Sequence, residues 1–354
     1  MIYRPTKAII NLKNIQQNTQ TIIRKFPGYQ YYMAVVKANC YGYRGTQVIE
    51  SMIKGGANCL ATSLLEEGVS LRNTFPNIPI LLLNPVLKNQ YDVCKEHQLA
   101  VTVATMKQAL EVSSYEGLEI MIRVNGGSDI LGGPTNVSEF EKIMNVLNSS
   151  NNKIKGFYLH SYNALSKEDT ENEYKLFETL TKDIDLSAYE MISIENSMSL
   201  PRYQKRLYSN CCRLGNIMYA IETEDSDLKS TFKLETEVLG IITLKANQHI
   251  AYGHAYTAKT DGERIAAIPI GFGDGFSKSN IGRDVYINHK NYKIVAITMD
   301  ITHILVDESI NEGDKVELIS NTHHLESISE HIKGATEEAI CALNDRVPRV
   351  YINE

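Results

Sequence analysis

Short apolar runs recur along the first two-thirds of the chain: YYMAVV (31–36), CLATS (59–63), IPILLL (78–83), LAVTVAT (99–105), LEIMIRV (118–124), KGFYLHS (155–161), MISIE (191–195) and CRLGNIMYAI (212–221). Between most of them lie stretches of helical period, such as GTQVIESMIKGG, SLLEEGVSLRNTF, VSEFEKIMNVLNSS and DTENEYKLFETLTKDI. The runs read as buried strands and the intervening segments as amphipathic helices. Eight such runs at ~20–30 residue spacing predict a (β/α)8 barrel of the α/β class. A doubly wound open sheet is the competing architecture, but it usually carries fewer strands in one run.

Near residue 230 the texture changes. From FKLETEVLGIITLKA onward strands follow one another, punctuated by turn signals in KTDGER, INHKNYK and NEGDK. This predicts a mostly β domain with one weak helical patch near 324–333. The expected division is a barrel and cofactor-binding domain over 1–230 and a β domain over 231–354. No low-complexity linker, coiled coil or internal repeat is visible.

The 354 residues, 43% hydrophobic and 22% charged, are ordinary for a globular protein, and a net charge of −6 gives no broad footprint for nucleic acid or an anionic membrane. No apolar run approaches the ~20 residues of a membrane-spanning helix. The opening MIYRPTKAIINLKN has neither an uninterrupted apolar core nor a small-residue cleavage site, so a cytoplasmic protein is expected. The six cysteines form no C-x-x-C pair, and the nine histidines no H-E-x-x-H. His323 and His324, followed by Glu326, Glu330 and His331, read as a polar helix surface rather than a metal site.

Barrel chemistry sits at the carboxyl ends of the strands. Taken alone, Lys37 is a solvated lysine where a strand stops. His160 ends the sixth run, Asn196 and Ser197 the seventh, and Arg213 lies at the start of the last. With four polar positions on one rim, Lys37 reads as a functional amine.

Several stretches together resemble the alanine racemase family, fold-type III enzymes that use pyridoxal 5'-phosphate. RPTKAIINLKNIQQN is similar to the family's opening, VVKANCYG to its cofactor-lysine motif, GFYLHS to a strand with a histidine beside the cofactor ring, and ENSMS and RLGNIMYA to segments around the phosphate and pyridine. AYGHAYTA, IPIGFGDGF, ITMDITH and ALNDRVPRVY extend the likeness from about residue 4 to about residue 351. The resemblance implies that Lys37 carries the cofactor and serves as a base at Cα. It places Tyr41, Asn196, Ser197, Gly215 and Asn216 around the phosphate, His160 beside the ring and Arg213 at the pyridine nitrogen. It makes Tyr252 the second base and brings the Met299 backbone to the substrate carboxylate. It also implies a head-to-tail homodimer in which the partner subunit's Tyr252 and the partner subunit's Met299 complete each site. Racemisation needs two bases on opposite faces of a planar carbon, which Lys37 and Tyr252 satisfy. A tyrosine titrates near ~10, so this role calls for cations nearby, such as the Arg213–His160 pair. The GFGDG segment reads as a structural turn, not a dinucleotide fingerprint.

Departures from the family bear on substrate. In RVNGGSDILGG, Arg123 stands where a lysine, often carbamylated, is expected, and Ile130 where an arginine is expected. Thr298 replaces a common cysteine. Asp345 stands where a tyrosine narrows the substrate entrance. A carboxylate there suits alanine's polar analogue serine or a basic side chain such as lysine or ornithine, unless it merely pairs with Arg346, Arg349 or Arg123. A fold-type III decarboxylase is a rival, but the Gly-rich phosphate loop typical after the histidine strand is missing. A non-catalytic cofactor carrier would usually lack both the β domain and Tyr252.

Overall fold

The computed structural model describes residues 3–124, 131–221, 223, 225–320 and 322–354, with backbone alone at 322–324, 326 and 327. After β1 (Lys7–Asn11), all eight apolar runs form strands: β2 (Tyr31–Val35), β3 (Cys59–Thr62), β4 (Ile80–Leu82), β5 (Val101–Val103), β6 (Glu119–Val124), β7 (Lys153–Leu159), β8 (Met191–Asn196) and β9 (Cys211–Leu214). They lie parallel in the order β4-β3-β2-β9-β8-β7-β6-β5. The two ends of that order meet. Leu82 N–H donates to Ala100 O and Ala100 N–H to Ile80 O, both at 2.9 Å, which closes the barrel. Strands β3, β4, β5, β8 and β9 are buried at every position, the condition of a parallel sheet covered on both faces. Helices run between the strands. Thr105, Asn136 and Ser166 start three of them by accepting the N–H of Gln108, Glu139 and Asp169.

The remaining strands are β10 (Phe232–Glu237), β11 (Gly240–Leu244), β12 (His249–Ile250), β13 (Tyr256–Thr257), β14 (Glu263–Ile268), β15 (Asp284–Ile287), β16 (Lys290–Ile297), β17 (Thr302–Val306), β18 (Lys315–Ile319) and β19 (Arg349–Ile352). Nine strands form one sheet in the order β11-β14-β17-β16-β15-β18-β10-β1-β19, while β12 and β13 make a separate ribbon. Here burial alternates, as along β17 and β15, because one face is solvated. The amino-terminal β1 pairs antiparallel with β10 and parallel with β19. Accordingly the chain divides into one compact unit of Met1–Gln17, Tyr41–Arg44 and Tyr219–Glu354, and another of Asn18–Cys40 and Gly45–Met218. The weakly helical patch is the helix Thr322–Ile332. The side chains of His323, His324 and Glu326 lie outside the described residues. Among the described residues, no helix is long and apolar enough to cross a membrane.

The barrel wall has one position where only glycine fits. Strand β7 shifts register against β6 around Lys155, and Gly156 beyond it takes φ 155°. A Cβ there would lie 1.7 Å from Met191 O on β8. Gly156→Ala must push two paired strands apart in a close-packed wall. A loss of about 3 kcal/mol or more is expected, read as a lower urea midpoint; an unchanged midpoint would contradict this packing.

Candidate active site

Five neighbouring strands, β6-β7-β8-β9-β2, end on one arc of the barrel rim, and the predicted residues of that unit all lie along it. Arg123 is the fifth residue of β6, and His160 follows β7. Asn196 ends β8, with Ser197 next. Arg213 lies within β9, followed by Gly215 and Asn216, and Lys37 comes two residues after β2. Sequence neighbours up to about 180 residues apart are thereby made adjacent by the order of parallel strands.

The floor of this arc is cationic. Arg123 and Arg213 are only 5% and 3% exposed. Arg213 Nη1 donates to Ser193 O at 3.0 Å and Ser193 Oγ at 2.7 Å, Nη2 donates to Leu159 O, and the guanidinium lies 5.3 Å from the centre of the Tyr158 ring. Its donors go to carbonyls and a hydroxyl rather than to a carboxylate, and burial lowers its pKa from the usual arginine value. The buried Tyr158 hydroxyl donates to Leu83 O at 3.0 Å and lies 2.9 Å from Thr102 Oγ1. Burial raises its pKa, while Arg123 and Thr102 hold it back. Sequence reasoning missed Tyr158 and Ser193, which contact Arg213: Tyr158 lies within GFYLHS, where the histidine drew the attention, and Ser193 has only its place in a strand as a signal.

His160 keeps exposed surface, yet protein fills most of the volume around it. That desolvation first, then the charges of Arg213, Arg123 and Lys37, push its pKa down to about 3. The expectation of an Arg213–His160 cation pair therefore needs correcting. His160 is a neutral imidazole and of that pair Arg213 alone carries the charge, because burial disfavours a charged ring and the neighbouring cations disfavour it further.

Lys37 is exposed, and the chain directly after it turns left-handed. Ala38, Asn39, Cys40 and Tyr41 have φ of 53°, 52°, 56° and 55°. At about 1–2 kcal/mol per residue, four such residues carry roughly 4–8 kcal/mol of strain. The turn is held by Cys40 N–H to Val36 O at 3.0 Å and by Asn39 N–H to Glu67 Oε1 at 3.2 Å, while Glu67 Oε2 accepts the Thr62 hydroxyl. Strain of this kind persists where surroundings impose it, and it gathers at functional sites. Nothing in Ala-Asn-Cys-Tyr announces it.

On the neighbouring strand ends, Gly215 N–H donates to Ser197 Oγ at 2.6 Å. Asn196 works as a brace. Its Nδ2 donates to Ser161 O at 3.1 Å and its Oδ1 accepts Met198 N–H and Ser199 N–H. The Ser197 hydroxyl and the exposed Lys37 amine, on the rim that also carries two buried arginines, are groups that a phosphate dianion and an aldehyde require. The residues fit pyridoxal phosphate.

Tyr41, Tyr252, Met299 and Asp345 belong to the other compact unit, that of Met1–Gln17, Tyr41–Arg44 and Tyr219–Glu354. Tyr41 is buried 5.1 Å from Tyr219, ring to ring, and burial raises its pKa, so it stays a neutral hydroxyl. Tyr252 tips the ribbon between β12 and β13, 83% exposed, where the rings of His249 and His254 stack 3.9 Å apart. Met299, 53% exposed, turns between β16 and β17. The Asp345 side chain is 91% exposed and its carboxylate meets Arg44, not Arg346, Arg349 or Arg123. Ile130 lies outside the described residues.

Comparison with known proteins agrees with this geometry. The family model for "Alanine racemase, N-terminal domain" matches residues 10–223, and that for "Alanine racemase, C-terminal domain" matches residues 231–351. Alanine racemase 1 of Bacillus subtilis (strain 168) is 28% identical, covering 99% of this chain and 94% of that protein. Alanine racemase of Streptococcus agalactiae serotype Ia is 27% identical, covering 99% of both. Among solved structures, alanine racemase from E. faecalis superposes with a TM-score of 0.88 at 26% identity over 99% of each chain. The enzyme from Bacillus anthracis with bound L-Ala-P gives 0.90 at 25% identity, over 100% of this chain and 96% of that one. With the family models spanning both units and the barrel rim carrying the donors the cofactor needs, the chain belongs to the alanine racemase family and is a pyridoxal-phosphate-dependent amino-acid racemase.

Proposed function

We propose that this enzyme interconverts L- and D-alanine, with serine the next best substrate, by a two-base mechanism in a homodimer. The observation that carries the proposal is the exposed Lys37 amine, held at the end of β2 beside the Gly215 and Ser197 donors on the adjoining strand ends. When bound, the cofactor supplies the electron sink that makes the substrate's Cα–H acidic. Lys37 exchanges a proton with Cα on one face, and the Tyr252 hydroxyl does so on the other. Arg213 stays charged among its carbonyl partners, and His160 presents a neutral ring. Arg123 offers the substrate side a permanent cation. Tyr252 and Met299, large side chains left in water in a single chain, support completion of each site by a second copy.

The similarity to alanine racemases of Bacillus subtilis and Streptococcus agalactiae supports alanine as substrate. The contact of Asp345 with Arg44 supports it further, because that guanidinium competes with a lysine or ornithine side chain for the carboxylate.

Exchange of the substrate α-proton in deuterated water tests the two bases. Tyr252→Phe should cut turnover by roughly 10²-fold or more while cofactor remains fixable to Lys37 by borohydride. Lys37→Ala should abolish that fixation. Racemisation near the wild-type rate by Tyr252→Phe would mean that another group serves that face.

Specificity has its own check. Asp345→Tyr should shift the ratio of kcat/KM values towards alanine and away from serine. A ratio left untouched assigns Asp345 to its ion pair with Arg44 alone.

The state of His160 is also measurable. Its pKa falls from an ordinary 6.5 to about 3 in the folded protein. Between those values the unfolded chain binds a proton that the native chain refuses, so this residue makes stability decline as pH drops from 6.5 towards 3. In the apoprotein its ring carbon resonance should stay at the neutral position from pH 8 to pH 5; a midpoint near 6.5 would refute the cationic surroundings described above.

A further inference from the structure

The turn that carries Met299 is gripped from one side. Thr298 N–H and Oγ1 both donate to Ile301 O, at 2.8 and 3.0 Å, which closes the turn on itself. Phe272 N–H donates to Thr298 O at 3.0 Å, and Gly273 N–H donates to Met299 O at 2.8 Å. In a trans peptide the C=O and N–H point in opposite directions. Fixing the Thr298 carbonyl against residue 272 therefore turns the Met299 N–H away from the glycine turn. That N–H has no acceptor among the described residues.

The glycine turn is in turn fixed by a buried carboxylate. Asp274 is fully buried, and its Oδ2 accepts Gly271 N–H at 2.9 Å. Its Oδ1 accepts from Arg4 Nη1 at 2.9 Å and lies 3.3 Å from Arg346 Nε. Arg346 then reaches past the turn, with Nη2 donating to Asp300 Oδ1 at 2.6 Å, on the residue that follows Met299. The approach is too close for side chains. A Cβ at Gly271 would sit 2.4 Å from the Thr298 and Met299 carbonyls, and one at Gly273 would sit 2.6 Å from Arg346 Nη1. A carboxylate removed from water and met by two guanidiniums is a costly arrangement to keep in a surface turn. Its visible product here is the direction of one amide.

We propose that Asp274, clamped by Arg4 and Arg346, is a positioning residue that aims the Met299 N–H at the carboxylate of the amino-acid substrate. The inference rests on Met299 being a substrate contact, as read above.

Propionate, which is alanine without its amine, probes the carboxylate contact in the holoenzyme. Arg346→Met should weaken propionate inhibition about tenfold, the size of one hydrogen bond to a charged acceptor. It should raise KM for alanine by a similar factor, with kcat and borohydride-fixed cofactor little changed. Arg346→Lys should recover part of the loss, and Asp274→Asn should reproduce it where that variant folds. Replacing the Met299 amide by an ester, through an α-hydroxy acid at that position, removes the N–H alone and should cost the same factor. Ester and Arg346→Met together should cost no more than the ester. If the ester weakens propionate but the Arg346 and Asp274 variants do not, or if the losses multiply, the positioning role is overturned and the Met299 contact stands. If the ester leaves propionate unaffected, the Met299 contact falls and the positioning role with it.

Discussion

Closure of eight parallel strands is the constraint on which the site depends. The Leu82–Ala100 and Ala100–Ile80 hydrogen bonds join the two ends of the strand order, so no edge is left and every strand ends on the same rim. Five adjoining ends then hold Arg123, His160, Ser197, Arg213, Gly215 and Lys37 on one arc. A parallel barrel makes this arrangement the natural outcome of burying strands on both faces. Functional side chains can be placed only where a strand leaves the wall.

Charge decides what that arc accepts. Two nearly buried guanidiniums lie there, and that of Arg213 is met by backbone oxygens, a hydroxyl and an aromatic face. They keep their charge and add to the burial that suppresses protonation of His160. An anion bound there gains from the charge of Arg213, whose guanidinium donates to carbonyls and a hydroxyl. The same surroundings hold the imidazole in a single protonation state across the physiological range, which makes it a fixed wall of the site rather than a titrating one.

Rigidity is bought on each unit by local strain or local bonding. Beside Lys37 it takes the form of four successive left-handed residues braced by Glu67. Beside Met299 it is a glycine turn fastened to a buried aspartate. In both, the backbone is over-determined before any ligand arrives, so little conformational entropy remains to be lost on binding.

The amino-acid sequence by itself determined the eight barrel strands, the mostly β second half and the rim positions of Lys37, His160, Ser197 and Arg213. Continuous apolar runs and the polar residue that ends each one are local signals, and burial on both faces of a parallel sheet produces them directly. Other features were settled only by tertiary structure. Strand β1 looks like any short alternating run, and its partners β10 and β19 lie more than 200 and 300 residues away. The neutrality of His160 comes first from burial and then from Arg213 and Arg123, which are distant in sequence and brought near by strand order. Asn196 reads as a ligand-side residue, yet its amide is engaged by Ser161, Met198 and Ser199. Asp345 meets Arg44 rather than the nearer-numbered arginines, since chain proximity does not set which guanidinium a turn presents. Hydrophobic pattern is written residue by residue, whereas pairing, charge environment and backbone strain exist only once distant segments have been packed against one another.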